Sequence, residues 1–472
     1  MHSRHLGVRG MPVADRPGFH AARRRVRASR RSAPAAVLTA GLTALLAVGL
    51  AGCSASGQEA GSTPAPTSQD ASAPGSTAPS TQPSSPASSE PATSSGATPS
   101  SGAPSASSTS GAPSSSGKPT PSGSGDALDA RAADLVKHMS RAERAGQALM
   151  VGEQLDQPTS AWASLLRTER IGNVFLAGRS SAGTKAIAAR TSTLRSAATV
   201  RGLKPWLATD QEGGAVQTLK GPGFTTIPRA TVQGTFSPTA LRKDSATWGR
   251  QLRAAGLNMN LAPVADTVPA GTAARNPPIG VYGRQYGSTP DAVLEHSRAF
   301  AQGQRDAGVT PVLKHFPGLG AVRGNTDTTA NVTDTTTTAD GARITAFSRQ
   351  FTGPSDWVLM SSATYTRIDA QHPAMFSHEV MTELLRHDLK FTGVVMSDDL
   401  CSAKAVASVP LVTRAQRFIE AGGDVVLCAG GVSTSTARSM ARGMAQLAAS
   451  DHDFDAALTQ AATRVVRSKL AS

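Results

Sequence analysis

The stretch TPVLKHFPGLGAVRGNTDTTANVTD, residues 310–334, joins a short apolar run to a polar loop that contains glycine. Lys314 and His315 lie where the apolar run ends, and residues rich in Thr and Asp follow. A short apolar run bounded by turn-forming residues is typical of a buried β-strand. The stretch therefore predicts a strand whose carboxyl end carries a functional loop.

Seven more apolar runs of this kind occur after residue 126: 147–152, 173–178, 205–210, 258–266, 357–363, 393–399 and 424–430. Segments with helical spacing separate the runs, and most open with Ser or Thr, which are favoured N-cap residues. Apolar strands that alternate with helices indicate a parallel sheet covered by helices. Eight strand–helix units in about 300 residues predict an α/β fold of the (β/α)8 barrel type. An open doubly wound sheet is the alternative, although no GxGxxG motif follows the first strand.

The N-terminal 53 residues have the features of a secretory signal. Residues 1–33 contain nine arginines and one acidic residue, and an apolar run that ends at Cys53 follows them. A basic segment, a short apolar run and small residues before a cysteine are typical of a signal peptide. The alternative is a membrane-spanning anchor, but the run is shorter than the roughly 20 apolar residues that such a helix needs. The segment LAGC resembles a bacterial lipobox, which would lipidate Cys53 and anchor the exported protein to the outer face of the cell membrane.

Residues 54–125 consist almost wholly of Ser, Pro, Ala, Thr and Gly. A segment of this composition cannot bury enough apolar surface to offset the entropy of ordering it. We therefore predict a disordered tether over 54–125 and a folded domain over 126–472.

The charge of the folded part does not indicate a nucleic-acid partner. Of the formal net charge of +14, the first 33 residues contribute +8, and few aromatic residues are available for stacking on bases. We expect a basic surface near anionic envelope polymers, a monomer, and no membrane contact other than the lipid anchor. The histidines are too scattered for metal-ligand spacing, so we expect no metal and no cofactor. Cys401 and Cys428 lie in or beside apolar strands and are predicted to be buried thiols, with a disulfide as the alternative.

Polar residues end four of the predicted strands: Asp210, Asp266, the pair Lys314 and His315, and the pair Asp398 and Asp399. In a barrel, the carboxyl ends of all strands meet at one mouth, where active sites form. Carboxylates beside a lysine and a histidine suit a polyhydroxyl ligand, and a carboxylate nucleophile suits glycosyl transfer. Because successive strand residues face opposite ways, only one of the two adjacent aspartates can readily point into the mouth. The sequence does not decide which.

The motifs DQEGG, LAPVADT, GRQYG, KHFPG, NTDTT and SDDL occur in this order along the chain. Together they resemble glycoside hydrolase family 3, over about residues 130–470. The resemblance is greatest to the single-domain β-N-acetylhexosaminidases that trim peptidoglycan fragments. It implies a carbohydrate substrate.

The resemblance also implies roles for individual residues. Asp398, the first aspartate of SDDL, matches the nucleophile that forms a covalent glycosyl-enzyme. Asp210, Arg284, Lys314 and His315 match residues that bind the sugar. Glu212 lies in the same motif as Asp210, and we interpret it as a residue that holds a loop in place.

One part of the family pattern is missing. The β-N-acetylhexosaminidases carry an Asp-Ser-His triplet whose histidine is the general acid/base. Here Asp327 holds the aspartate position and Thr329 stands where the histidine would be, while Leu319 replaces the histidine of the preceding GHG motif. Thr218 likewise stands where the family has an arginine. A threonine hydroxyl cannot donate a proton near neutral pH, and general acid catalysis is worth about 10²–10⁴-fold in rate.

Two hypotheses follow for the function. The first is an exported retaining β-glycosidase, a β-N-acetylglucosaminidase of cell-wall-derived saccharides, with Asp398 as nucleophile. Asp327 would then be the acid/base if a low-dielectric site raises its pKa, or another residue would take that role. The second is a catalytically impaired lipoprotein that binds sugars or muropeptides.

Overall fold

The computed structural model describes residues 125–472. The predicted signal peptide, Cys53 and the tether up to residue 124 lie outside these residues. Within the described part of the chain, no helix is both long and apolar enough to cross a membrane.

Each of the eight predicted apolar runs overlaps a β-strand. The strands are β1 (Leu149–Gln154), β2 (Asn173–Ala177), β3 (Trp206–Thr209), β4 (Met259–Asn260), β5 (Thr310–Phe316), β6 (Trp357–Met360), β7 (Val394–Ser397) and β8 (Val426–Cys428). They form one parallel sheet in which chain neighbours pair from β1 to β7, and β8 pairs with β1. A parallel bridge between Met396 and Val425 joins the β7 and β8 edges. The predicted (β/α)8 barrel is confirmed, and the open-sheet alternative is wrong because both edges of the sheet pair.

The strands are apolar on both faces because each face contacts a different part of the core. Phe175, Trp206 and Met396 belong to a cluster inside the barrel. Their neighbours Val174 and Val395 belong to a second cluster that contains residues of the surrounding helices. Burial on both faces explains why the strands read as continuous apolar runs rather than as alternating ones.

Helices surround the barrel. Their bounds are Gly125–Lys137, Arg141–Gln147, Thr159–Thr168, Gly183–Ala198, Ala230–Gln233, Pro238–Ala254, Pro290–Asp306, Ala342–Ser348, Leu411–Glu420, Thr434–Ser450 and His452–Leu470, with a π-helix at Glu379–Asp388. The predicted capping is observed at two long helices, where Ser237 accepts a hydrogen bond from Ala240 N and Thr289 accepts one from Ala292 N.

Short elements lie in the loops that follow the barrel strands. A hairpin, Gln211–Gly213 with Val216–Gln217, comes directly after β3. A three-stranded sheet of Thr333–Asp334, Thr364–Tyr365 and Asp369–Pro373 combines the loops after β5 and β6. Because these loops follow the carboxyl ends of the strands, they form the mouth of the barrel.

Cys401 and Cys428 form a disulfide, so the prediction of two buried thiols is wrong. Cys428 is the last residue of β8, and Cys401 lies in the loop that follows β7. The sequence leaves the two thiols 27 residues apart, but the neighbouring strands bring their Cα atoms to 4.9 Å. The bond therefore connects the loop after Asp398 to the adjacent strand.

Candidate active site

A cavity of about 300 Å³ lies at the carboxyl ends of the barrel strands. All six residues predicted to be catalytic or substrate-binding line it: Asp210, Arg284, Lys314, His315, Asp327 and Asp398. A larger groove, of about 920 Å³, lies between the outer helices Pro238–Ala254 and Pro290–Asp306 and contains none of these six. The barrel topology thus assembles residues that are up to 188 positions apart (398 − 210) around one small space.

The two adjacent aspartates after β7 have different surroundings. Asp399 accepts hydrogen bonds from the backbone N–H groups of Cys401, Ser402 and Ala429. The Asp398 side chain accepts only one within residues 125–472, from the N–H of Asp399 at 2.9 Å. Both aspartates line the cavity, but the Asp399 carboxylate is occupied in fixing the loop, whereas the Asp398 carboxylate is free to contact a ligand.

The carboxyl group of Asp398 has an unusually high pKa. Burial raises this pKa, the negative charge of Asp327 raises it further, and His315 acts in the opposite direction. The result is a pKa of about 6. A carboxylate with a raised pKa and few hydrogen bonds is more basic than an ordinary one and is only weakly stabilised by its surroundings. Perturbed pKa values of this kind occur at functional sites.

Glu212 links two of the predicted sugar-binding residues. Its carboxylate accepts hydrogen bonds from Arg284 Nε and Nη2 at 2.9 and 2.8 Å, and it lies 2.7 Å from Lys314 Nζ. Burial works to raise the pKa of Glu212, but the charges of Arg284 and Lys314 outweigh burial and lower the pKa to about 2. Glu212 does not line the cavity, so its role is to hold the two cations in place.

Lys314 also contacts the first of the strand-end aspartates. Its Nζ lies 2.6 Å from Asp210 Oδ1. Burial works to lower the pKa of Lys314, and the negative charges of Asp210 and Glu212 raise it above its usual value. The cavity therefore has a permanent cation next to a carboxylate, a pair that can donate to and accept from neighbouring sugar hydroxyls.

Asp266 is a residue of the site that the sequence did not assign a role. It is fully buried, and its carboxylate accepts hydrogen bonds from His315 Nδ1 at 2.7 Å and from Leu319 N at 2.8 Å. This contact leaves His315 Nε2 as the nitrogen available to a ligand. The signal in the sequence was the position of Asp266 at a strand end, which by itself could not show that it lies behind His315.

The loop after β5 places Asp327 and Thr329 differently. Asp327 lines the cavity and is exposed, with its backbone N–H bonded to Asn325 Oδ1 at 3.0 Å. Thr329 is exposed and does not line the cavity. The condition that a low-dielectric environment surrounds Asp327 is therefore not met, because its side chain faces solvent. Thr329, at the position of the family's histidine, therefore brings no proton donor to the cavity.

Two further departures from the family pattern concern the cavity wall. Leu319 is buried and lines the cavity, where it presents an apolar surface. Thr218 is buried but does not line the cavity, and its N–H donates to the carbonyl of Asp210. The wall is therefore less basic at these positions than the family pattern implies.

No group of three or more His, Cys, Asp or Glu side chains that could hold a metal ion occurs among the residues that the structure describes.

A (β/α)8 barrel with carboxylates and cations around a cavity at its mouth is an architecture that suits a glycoside hydrolase. The chain belongs to glycosyl hydrolase family 3, since the model of its N-terminal domain matches residues 140–468. The family expected from the sequence motifs is thereby confirmed, and the protein is a glycoside hydrolase.

Several similar proteins are named as β-hexosaminidases or β-N-acetylhexosaminidases. A β-hexosaminidase of Alkalilimnicola ehrlichii is 32% identical over 287 residues, which are 59% of this chain and 79% of the relative. A β-hexosaminidase of Bordetella avium is 32% identical with the same coverage. The crystal structure of β-N-acetylhexosaminidase from Beutenbergia cavernae is 43% identical, with a TM-score of 0.67 over 70% of this chain and 98% of the other.

Proposed function

We propose that the protein is an exported, retaining β-glycosidase that acts as a β-N-acetylglucosaminidase on cell-wall-derived saccharides. The observation that carries this proposal is the Asp398 carboxylate, which lines the cavity beside the cations that would bind the sugar. The names of the similar proteins support the N-acetylhexosamine specificity.

The size of the cavity supports an enzyme that removes one terminal sugar. Ligand cavities usually measure about 300–1,000 Å³, and the volume of about 300 Å³ is at the lower end of this range. Asp210 and Lys314 would hold ring hydroxyls, while Leu319 and Leu359 provide apolar surface for a sugar face or an acetyl methyl group.

In the proposed mechanism, Asp398 attacks the anomeric carbon as the bond to the leaving group breaks, which forms a covalent glycosyl-enzyme. Asp327, which would have to be protonated in the complex once the bound substrate covers it, gives its proton to the departing oxygen. It then takes a proton from the water that attacks the same carbon and releases Asp398 with net retention. The bound substrate would cover Asp327 and remove it from water.

A test of the nucleophile compares the wild type with Asp398→Ala on chromogenic β-GlcNAc and β-glucoside substrates. We expect turnover of β-GlcNAc that the substitution reduces by at least about 10³-fold, and NMR should show the β-anomer as the first product. The absence of turnover on every glycoside, or turnover that the substitution does not change, would reject the proposal.

The role of Asp327 can be tested through the leaving group. Asp327→Asn should slow a GlcNAc substrate with a poor leaving group by about 10²–10⁴-fold. It should slow a dinitrophenyl substrate much less, because that leaving group needs no proton. Thr329→Ala is the matched control on the same loop and should change neither rate. An equal loss on both substrates would argue against a proton donor at position 327.

Export and anchoring are part of the proposal. The Cys401–Cys428 disulfide supports an oxidising compartment, since disulfides are rare in the cytosol. Lipidation at Cys53 would hold the protein at the outer face of the bacterial cell membrane. Metabolic labelling with a clickable fatty acid, in the wild type and in Cys53→Ser, would test this part.

The second candidate function is sugar or muropeptide binding without hydrolysis, and the exposed Thr329 outside the cavity favours it. Calorimetry with N-acetylglucosamine would then show binding, and product analysis would show no cleavage of a β-GlcNAc substrate. Steady hydrolysis by the wild type would remove this candidate.

A further inference from the structure

A second cavity, of about 560 Å³, lies at the opposite end of the barrel. Trp206 and Thr310 line it, and they are the first residues of β3 and β5. The candidate active site lies at the carboxyl ends of these strands, so the two cavities are separated by the interior of the barrel. The glycosidase chemistry proposed above gives this second cavity no role.

Positive charge dominates the lining of this cavity. Arg195, Lys204, Arg253 and Arg305 all line it, with Asp356 as the one acidic side chain. Asp356 is already engaged, because its carboxylate accepts hydrogen bonds from Arg305 Nη2 at 2.8 Å and from Gly353 N at 2.9 Å. The cavity therefore has more cationic side chains than its own acidic side chain can neutralise.

Three of these cations have no ion-pair partner within residues 125–472: Arg195, Lys204 and Arg253. The last residue, Ser472, also lines the cavity, but its carboxylate does not pair with them either. Burial lowers the pKa of Arg195, and the positive charge of Arg253 lowers it further. Holding like charges this close costs free energy that a bound anion would recover.

One residue that lines the cavity, Trp206, carries a buried hydrogen-bond donor without an acceptor in the described residues. Trp206 is only 2% exposed, and its indole Nε1–H has no partner among the described residues. Trp357, whose ring centroid lies 5.5 Å from that of Trp206, donates its own N–H to Ser468 Oγ at 3.0 Å. An unsatisfied buried donor costs about 1–3 kcal/mol, so a ligand that placed an acceptor oxygen beside Trp206 Nε1 would gain this free energy.

The first described helix packs near this end of the barrel. Leu203, which directly precedes Lys204, lies in one apolar cluster with Val136 of the helix Gly125–Lys137. The segment that follows the predicted tether is therefore close to the basic cavity.

We propose that this cavity is a binding site for a phosphate group, carried by inorganic phosphate or by the headgroup of an anionic phospholipid. A phosphate offers several acceptor oxygens at once to guanidinium groups, an ammonium group and an indole N–H. The proposal does not depend on the activity of the other cavity.

The test is calorimetry at low ionic strength on the full chain carrying Cys53→Ser. The two ligands are inorganic phosphate and sn-glycero-3-phosphoglycerol, the soluble headgroup of phosphatidylglycerol. At least one should bind, and Lys204→Ala with Arg253→Ala should weaken that binding by at least 10-fold. Tighter binding of phosphate would identify the free ion as the ligand, and tighter binding of the diester would identify the headgroup.

The controls separate this site from the active-site cations. Both substituted side chains are exposed, so the variant should keep the wild-type melting temperature and the same rate of glycoside hydrolysis. The matched variant Arg167→Ala with Lys185→Ala removes two exposed cations that do not line the cavity and should bind as the wild type does. If neither ligand binds at millimolar concentration, or if the cavity variant binds as tightly as the wild type, the proposal is wrong.

Discussion

The protonation state of Asp398 should control the pH dependence of activity. Only the ionised carboxylate can attack the anomeric carbon, and its pKa is raised to about 6 by burial and by the charge of Asp327. At pH values below about 6, kcat/KM should therefore decrease, and the decrease should approach tenfold for each pH unit. A pH profile on a dinitrophenyl substrate would measure this.

The same profile tests the coupling between the two carboxylates. Asp327→Asn removes a negative charge that raises the pKa of Asp398, so the acidic limb should move to lower pH. Thr329→Ala removes no charge and should leave the limb where it is. A limb at the same pH in wild type and Asp327→Asn would show that the two groups do not interact.

Glu212 should contribute to stability in a defined pH range. Its folded-state pKa of about 2 lies below the usual 4.5, so its contribution is fully present above about pH 4.5 and is lost as the pH falls towards 2. Glu212→Gln should destabilise the protein by about 3–5 kcal/mol at pH 7, because two cations lose their buried partner.

Urea unfolding of the two proteins between pH 3 and pH 7 would measure this effect. The wild type should lose stability relative to the Gln variant only as the pH falls from about 4.5 to 3, and the difference between the two should be constant from pH 4.5 to pH 7. Glu379→Gln changes an exposed side chain and should behave as the wild type. Parallel stability curves for wild type and Glu212→Gln would contradict the assignment of Glu212 as the anchor of Arg284 and Lys314.

At the scale of elements, the loop after β7 is held to β8 in two ways. The Cys401–Cys428 bond is the covalent one, and the hydrogen bonds of Asp399 to Cys401 N and Ala429 N connect the same segments. Replacing both cysteines by serine should lower the free energy of unfolding by about 3–4 kcal/mol, as the chain-entropy relation gives for a loop of this size.

The disulfide should matter for activity as well, because the loop directly follows Asp398. We expect the double serine variant to raise KM more than it lowers kcat, since Asp399 still fixes the nucleophile. Thermal unfolding and steady-state kinetics with and without a reductant would measure both effects. If a reductant changes the wild type and the double variant equally, the effect does not come from this bond.

The elements of the barrel were predictable because a parallel strand buried on both faces is a continuous apolar run. The grouping of the polar strand-end residues around one cavity was predictable as well, because a parallel barrel brings the carboxyl ends of its strands together. Two features of the site were not. The choice of Asp398 over Asp399 depends on the amide of Ala429, directly after β8, that binds Asp399, and the contact of Asp266 with His315 joins residues 49 positions apart. Both depend on long-range geometry that no local pattern contains.

At the scale of the whole molecule, the first helix that the structure describes belongs to the core of residues 125–472. Ala132 and Val136 of the first helix are buried against Ala462 and Val466 of the last helix. A chain that begins at residue 120 should therefore keep the wild-type melting temperature within about 1 °C and the same kcat/KM.

A chain that begins at residue 139 is the matched comparison, because it removes the helix Gly125–Lys137 as well. This deletion exposes Leu203 and Val466, at roughly 1.5–3 kcal/mol for each aliphatic side chain that loses its cover. At about 2–4 °C for each kcal/mol, the melting temperature should fall by roughly 10 °C. Differential scanning calorimetry of the two shortened proteins would separate the contributions, because equal melting temperatures would mean that the first helix adds nothing to the barrel. A melting temperature of the chain that begins at residue 120 clearly below that of the wild type would instead mean that residues before 120 stabilise the fold.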